Sequence, residues 1–160
     1  MTMPQLAGAP HDQHDAGVRE FGEITQVDDG GRLFLSGSIE NWQAVHERGI
    51  SVVIDLEGDV DHGVPTAADQ FLYIYLPIHD GDLPNLDRLR AVATLGADLV
   101  AKGHRVLSHC GMGLNRSALV AALILMQHGM PAARAVAQLR ERRPGALFND
   151  VFANWLLAQS

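Results

Sequence analysis

The sequence predicts an α/β fold: a three-layer sandwich with a central, mostly parallel mixed sheet of about five strands flanked by helices. Short segments rich in β-branched residues alternate along the chain with longer segments of helical periodicity. One short segment, residues 50–56, reads Ile-Ser-Val-Val-Ile-Asp-Leu, as expected of a strand covered on both faces. The 160 residues suggest one domain, over residues 21–160, preceded by a flexible polar tail over residues 1–20.

Five strands are predicted from apolar composition and from the turn residues between them. Residues 23–27 and 32–36 form two strands joined by Asp-Asp-Gly-Gly, a tight-turn sequence. The third strand spans residues 50–56, and residues 71–76 form a similar strand that is expected to be buried. Residues 105–108 form a short fifth strand that leads directly into a glycine-bearing segment.

Five helices are predicted from the spacing of apolar residues and from the residues that begin or end helices. They span residues 39–48, 85–101, 117–128, 131–143 and 149–158. Glycines follow the first two helices, a proline begins the fourth, and Asn149 is a suitable cap for the fifth. The fourth helix carries a basic stretch that is expected on a solvated face, with docking of an acidic substrate as the alternative. This stretch comprises Arg134, Arg140, Arg142 and Arg143.

The charge balance and the single cysteine argue against several classes of protein. The net charge of −7, from 12 basic and 19 acidic residues, argues against broad binding to nucleic acid or to anionic membranes. The longest apolar run, residues 118–126, is too short to span a bilayer, and residues 1–19 lack the pattern of a secretory signal. One cysteine cannot form an internal disulfide, so nothing requires an oxidising compartment, and we expect a cytoplasmic protein. We also expect the protein to be a monomer.

The most informative segment, residues 109–117, reads His-Cys-Gly-Met-Gly-Leu-Asn-Arg-Ser and lies between a predicted strand and a buried helix. A loop folded around a phosphate dianion can turn its backbone N–H groups inward, and Gly111 and Gly113 permit the unusual dihedral angles that this needs. The helix that begins near Arg116 directs its positive end at the same point, and the guanidinium can grip two phosphate oxygens. The predicted phosphate-binding residues are Gly111, Met112, Gly113, Leu114, Asn115 and Arg116.

The same electrostatic field acts on Cys110. A thiol at a helix N-terminus beside an arginine is expected to be largely ionised near neutral pH, and a thiolate can attack phosphorus to form a phosphocysteine. Ser117 is expected to donate a hydrogen bond to the sulfur and so help it leave when water attacks. We expect His109 to brace the loop through hydrogen bonds to backbone groups.

Two alternatives compete with a catalytic loop. A lone cysteine is usually a small buried hydrophobe. A glycine-rich turn after a strand is also typical of dinucleotide-binding folds, but Arg116 stands where that motif needs its third glycine. No Asp or Glu occurs between Gly111 and Arg140 either, where the ribose-binding acid of such folds is expected. These departures favour an oxyanion-binding loop with a nucleophile.

Cys110 and Arg116 have five residues between them, and with His109 and Ser117 they resemble the signature of the protein tyrosine phosphatase superfamily, especially its compact dual-specificity branch. The resemblance covers roughly residues 21–157. Within it, the sequences at 33–37 and 49–56 are similar to two strands of the family, and the sequence from 142 to 152 is similar to its C-terminal segment. The resemblance implies that Cys110 and Arg116 are catalytic.

The resemblance also implies that residues 76–84 form the loop that carries a general acid. By that alignment Asp80 protonates the leaving oxygen, and Asp82 is the alternative acid. Either aspartate could instead be a turn former, which is common beside glycine.

The function implied is hydrolysis of phosphate monoesters through a phosphocysteine intermediate. Phosphotyrosine in proteins is the leading substrate, with phosphoserine and phosphothreonine as further substrates. One alternative is a phosphoinositide or another small phosphate ester, although lipid-specific relatives usually carry lysines where this loop has Met112, Leu114 and Asn115. A phosphate-binding module without catalysis is the other alternative. The expected partner is therefore a phosphorylated protein or a small phosphate ester, and no nucleic acid, membrane, cofactor or metal is expected.

Overall fold

The computed structural model describes residues 21–159, which contain five strands and five helices. The predicted tail over residues 1–20 lies outside the described residues. The strands are β1 (Thr25–Gln26), β2 (Leu33–Ser36), β3 (Val52–Asp55), β4 (Leu72–Tyr75) and β5 (Val106–His109). They form one sheet in the order β1-β2-β5-β3-β4, in which β1 is antiparallel to β2 and all other neighbours are parallel. The predicted mostly parallel sheet of about five strands is confirmed.

The five helices lie close to their predicted positions. They are α1 (Trp42–Glu47), α2 (Leu86–Ala101), α3 (Arg116–Gln127), α4 (Ala132–Arg142) and α5 (Asp150–Leu157). The first helix begins three residues later than predicted because Asn41 caps it, with its side chain accepting a hydrogen bond from Gln43 N. None of the helices within residues 21–159 is long and apolar enough to cross a membrane.

Successive residues of the central strands point to opposite faces of the sheet, and this produces the three layers. Val52 and Ile54 of β3 pack into a large apolar cluster that includes buried residues of α2, α3, α4 and α5. Val53 lies on the other face, in a smaller cluster with Val45 of α1. All four residues of β3 are buried, as predicted for a strand covered on both faces.

The prediction that β4 is buried like β3 is wrong. Leu72 and Tyr75 are 40% and 38% exposed. The reason is the strand's position at the edge of the sheet, where it pairs only with β3. Apolar composition alone does not distinguish an edge strand from a central one.

The register of the parallel strands brings three strand ends together. His109, the last residue of β5, lies opposite Ser36 of β2 on one side and opposite Asp55 of β3 on the other. Because the carboxyl ends of parallel strands meet at one edge of a sheet, Cys110 leaves the middle strand at that edge. This is the usual position of a site in an open α/β sheet.

Candidate active site

The segment of residues 110–116, here called the Cys110 loop, is held from behind by its carbonyl groups. Each carbonyl of residues 111–114 accepts a hydrogen bond from outside the loop. Arg143 donates to two of them, from Nη2 to Met112 O at 3.0 Å and from Nε to Gly113 O at 2.7 Å. The other two accept from backbone amides, Ser38 N to Gly111 O at 3.1 Å and Leu147 N to Leu114 O at 2.8 Å.

The direction of these carbonyls determines where the loop amides point. None of the peptide bonds among residues 21–159 is cis, and in a trans peptide the N–H points opposite to the C=O. The N–H groups of residues 112–115 therefore face away from the groups that bind the carbonyls. One of them, Gly113 N, donates to Cys110 Sγ at 3.2 Å. The N-terminus of α3 begins at Arg116, so the loop combines inward amides with a helix end, which suits an anion.

Only glycine fits at position 113. Its φ is +69°, and a Cβ added there would lie 2.4 Å from the carbonyl carbon of Ser36. This agrees with the unusual backbone expected of Gly113. Gly111 differs, because its φ is not positive. A Cβ added at Gly111 would lie 3.3 Å from Arg116 Nη2. The expectation of an unusual dihedral angle at Gly111 is therefore wrong, and its small size serves the close approach of the guanidinium.

Cys110 is buried, with 2% of its surface exposed. Its sulfur lies 3.4 Å from Ser117 Oγ, within reach of the hydrogen bond expected from that hydroxyl. Arg116 is anchored by Nη1, which donates to Ile78 O at 3.3 Å and to Leu56 O at 3.5 Å. Its Nη2 lies on the side of Gly111. The loop therefore brings together the sulfur, the hydroxyl and the guanidinium that the sequence singled out.

His109 does not brace the loop through backbone groups, so that expectation is wrong. It is fully buried, and its Nε2 lies 2.6 Å from Asp61 Oδ2 and 3.4 Å from Asp55 Oδ1. Its Nδ1 has no hydrogen-bond partner among residues 21–159. The partners were missed because Asp61 lies in the connection between β3 and β4, 48 residues away in the chain.

The carboxylates of Asp55 and Asp61 belong to a cluster of buried and partly buried polar side chains near the carboxyl ends of β3 and β5. Tyr73 Oη donates to Asp55 and accepts from Asp61 N at 2.9 Å. Burial raises the pKa of Asp55, the hydrogen bond from Tyr73 opposes that shift, and burial together with Asp55 raises the pKa of Tyr73. Asp55, Glu57, Asp61 and His109 offer ligand atoms within 4.8 Å of one another, as in a metal site. Their hydrogen bonds to one another, to Tyr73 and to Ser38 account for this arrangement without an ion.

Asp80 and Asp82 differ in their surroundings, although both are exposed. Both lie in the segment of residues 76–84, here called the Asp80 loop. The carboxylate of Asp80 accepts one amide hydrogen bond on each oxygen, from Asn149 Nδ2 to Oδ1 and from Asn115 Nδ2 to Oδ2, both at 3.0 Å. Because Asn115 belongs to the Cys110 loop, Asp80 is attached directly to that loop. Asp82 instead lines a pocket between the Asp80 loop and Arg88 of α2.

Arg143 is a functional-site residue that the sequence reasoning assigned to a solvated face, and this assignment is wrong. The side chain is fully buried at the end of α4. All five of its N–H donors have acceptors. Two acceptors are the loop carbonyls described above, and the other three lie in the N-terminal segment: Phe21 O at 2.9 Å, Glu23 O at 2.8 Å and Thr25 Oγ1 at 2.7 Å. A signal was present, since Arg143-Pro144 falls within the C-terminal segment that resembles the family.

Comparisons with known proteins agree with this geometry. Residues 34–160 match the family model described as dual specificity phosphatase, catalytic domain. The chain is 28% identical over 124 residues to dual specificity protein phosphatase 26 of Bos taurus, covering 74% of this chain and 58% of that protein. It is 24% identical over 120 residues to tyrosine-protein phosphatase CDC14 of Candida albicans, covering 68% of this chain but only 22% of that protein. Among solved structures, human DUSP28 has a TM-score of 0.72 at 22% identity, with 87% of this chain and 92% of that chain covered, which shows a shared fold.

Proposed function

This chain belongs to the dual specificity phosphatase catalytic-domain family, and from that premise we propose that it hydrolyses phosphate monoesters in proteins through a phosphocysteine at Cys110. The observation that carries the proposal is the direction of the peptide groups in the Cys110 loop. With the carbonyls bonded outward, the amides of residues 112–115 converge on the side where Gly113 N meets the sulfur. Amides in this arrangement can stabilise a thiolate at Cys110 and the oxygens of a tetrahedral oxyanion bound next to the sulfur.

The reaction has two steps. First, the Cys110 sulfur forms a bond to phosphorus while the ester P–O bond breaks, and Asp80 gives its proton to the leaving oxygen. Arg116 and the loop amides stabilise the negative charge on the three other phosphoryl oxygens. Second, a water oxygen attacks phosphorus, Asp80 takes a proton from that water, and the S–P bond breaks. The products are inorganic phosphate and the regenerated thiolate, with Ser117 donating a hydrogen bond to the leaving sulfur.

Asp80 is proposed as the acid rather than Asp82 because of its attachment to the Cys110 loop. The amide of Asn115 connects its carboxylate to the residue that immediately precedes Arg116. An acid in contact with the loop can reach the leaving oxygen of a bound ester, whereas Asp82 lines a pocket that also includes Arg88 of α2.

The leading substrate is phosphotyrosine, with phosphoserine and phosphothreonine as further substrates. The side chains of Met112, Leu114 and Asn115 carry no charge, which supports a ligand with one phosphate rather than several. We also propose that the chain acts in a reducing compartment such as the cytoplasm, since its one cysteine must stay reduced to act as a nucleophile. The chain spans 58% and 22% of the lengths of the two curated relatives.

Single-turnover kinetics with a phosphotyrosine peptide test the proposal. The purified chain should release one equivalent of dephosphorylated peptide in a rapid first phase. Mass spectrometry of a sample quenched during that phase should find the phosphoryl group on Cys110. Cys110→Ser should bind the peptide and release no phosphate. Arg116→Lys keeps the charge but loses the planar pair of donors, and should weaken both binding and turnover. Peptide binding by the wild-type chain without phosphate release would instead indicate a phosphate-binding module.

The same Cys110→Ser variant can identify the physiological substrate class. Used as a trap in cell extract, it should retain phosphorylated proteins that vanadate displaces. Comparison of phosphotyrosine, phosphoserine and phosphothreonine peptides of one sequence then decides between tyrosine-only and dual specificity. Equal rates with a phosphoinositide and with the best peptide would overturn the assignment of a protein substrate.

A further inference from the structure

Asn115 occupies the N-cap position of α3 but does not cap the helix. An asparagine at this position ordinarily accepts a hydrogen bond from an amide in the first helical turn. Here the side chain makes no such bond. It is 2% exposed, so its two polar ends need other partners. The first amides of α3 consequently remain available for a ligand.

The hydrogen bonds of Asn115 fix which end of its amide faces Asp80. The backbone N–H of Asn149 donates to Asn115 Oδ1 at 2.9 Å, and a backbone N–H can only donate. The opposite end is therefore the NH₂ group, which donates to Asp80 Oδ2 at 3.0 Å. The side chain thus links the Cys110 loop, the start of α5 and the Asp80 loop.

The orientation of the Asn149 side-chain amide is fixed by its hydrogen bonds in the same way. Its Oδ1 caps α5 by accepting from Val151 N and Phe152 N, so its NH₂ group must face Asp80 Oδ1. Two donors of known polarity therefore hold the two oxygens of Asp80 and define the plane of its carboxyl group. Each carboxyl oxygen can accept one of these bonds and still carry or receive a proton, so both amides can stay bonded while Asp80 acts as an acid.

We propose that Asn115 is a positioning residue that orients the carboxyl group of Asp80 towards the leaving oxygen. This rests on the proposed function and deepens it. Asn115 acts through Asp80 and not on phosphorus, so its loss should matter most where the leaving oxygen needs a proton. A misplaced acid affects esters of weakly acidic alcohols and phenols, while esters of strongly acidic phenols leave without its help.

The test uses Asn115→Ala and Asn115→Ser with two aryl phosphates. With phenyl phosphate, kcat/KM should fall on the order of 10- to 100-fold, and with an activated ester such as difluoromethylumbelliferyl phosphate kcat/KM should fall less than about threefold, because kcat/KM depends only on the first step. The inhibition constant for vanadate should stay within about twofold, because the loop amides and Arg116 remain. Serine cannot reach Asp80 but can add a cap hydrogen bond on α3 that Asn115 does not make, so the Ser variant separates the loss of positioning from any loss of stability.

Two controls make the outcome specific. Asn41→Ala removes a cap hydrogen bond from α1 and leaves Asp80 and its two amide donors in place, so it should leave the ratio of the two substrate rates unchanged. In an Asp80→Asn background, Asn115→Ala should change that ratio no further, because the residue through which it acts is already disabled.

Equal losses with both substrates, or an undiminished effect in the Asp80→Asn background, would overturn the role of Asn115 and leave the proposed function intact. Failure of the wild-type chain to hydrolyse either ester would overturn the proposed function itself.

Discussion

The Cys110 loop and the Asp80 loop face the same site, yet the two are held in different ways. Each carbonyl of residues 111–114 is bonded to a donor outside the loop, and the fully buried Arg143 supplies two of those donors. Asp80, by contrast, is exposed, and its carboxylate is held by the amides of Asn115 and Asn149. One side of the site is built into the core, whereas the exposed carboxylate on the other side is held by hydrogen bonds from two neutral side-chain amides.

The difference corresponds to two different tasks. Amides that stabilise a developing oxyanion must be in position before the reaction, because any reorganisation would cost free energy at the transition state. A proton donor must instead lie near leaving groups of different shapes, and it acts in both steps. If this comparison is correct, changes behind the Cys110 loop should affect every substrate, whereas changes at the Asp80 loop should affect substrates according to their leaving group.

The largest effect is expected from Arg143→Met. The variant removes five donors from a buried site and leaves the carbonyls of Met112 and Gly113 without partners, so we expect a loss of stability of about 3 kcal/mol or more. We also expect kcat/KM to fall on the order of 100-fold for phenyl phosphate and for the activated ester alike. Urea unfolding and steady-state kinetics check these values. Arg142→Met, one position earlier and only partly buried, is the matched control and should change neither strongly.

Gly113→Ala is expected to have the next largest effect. The new Cβ would meet the Ser36 carbonyl carbon at 2.4 Å, and the left-handed backbone at this position adds strain. The loop must shift, so vanadate affinity should fall at least about tenfold. Gly129→Ala is the control, since Gly129 has a φ of +96° but open space around its Cβ position. That variant should cost about 1 kcal/mol of stability and leave vanadate affinity unchanged. Equal vanadate affinity in the two variants would contradict the tight packing of the loop.

Asp80→Asn tests the other side of the comparison. With phenyl phosphate, kcat/KM should fall on the order of 100-fold, and with the activated ester kcat/KM should change little, because kcat/KM depends only on the first step, in which the lost group supplies a proton. Thermal unfolding should be nearly unaffected, since the side chain is exposed and asparagine retains one acceptor. Asp82→Asn is the matched control. A larger effect from Asp82→Asn than from Asp80→Asn would show that the acid is misassigned.

The smallest effect is expected from Arg142→Ala, which removes the ion pair with Asp29. The hydrogen bond and charge of Arg142 lower the pKa of Asp29 from its ordinary value of 3.8. A lowered pKa contributes stability that is present above that value and is lost as the pH falls through the folded-state pKa. The wild-type and variant melting temperatures should therefore differ slightly at pH 7 and converge in acid. A difference that does not shrink as the pH is lowered would contradict the ion-pair explanation. Activity should not change, in contrast to Arg143→Met.

Local sequence patterns predicted the sheet, the helices and the Cys110 loop, and long-range contacts explain what they missed. Cys110, Arg116 and Ser117 could be recognised because their spacing within one loop is itself the signal. The buried role of Arg143 could not be derived from its own segment, because its acceptors lie about 30 and 120 residues away. The pairing of His109 with Asp61 and of Asn115 with Asp80 was missed for the same reason, as hydrogen-bond partners depend on how the loops meet in space.

The contacts of Arg143 also bear on where the catalytic unit begins. The family match starts at residue 34, yet three of the five acceptors of Arg143 belong to Phe21, Glu23 and Thr25. A fragment that starts at residue 34 would leave three N–H groups of the buried Arg143 guanidinium without acceptors. It would also lack β1, so the outer edge of β2 would be free to pair with strands of other molecules. We therefore expect a fragment that starts at residue 34 to be less stable than one that starts at residue 21, because residues 21–25 supply acceptors to the arginine that holds the Cys110 loop.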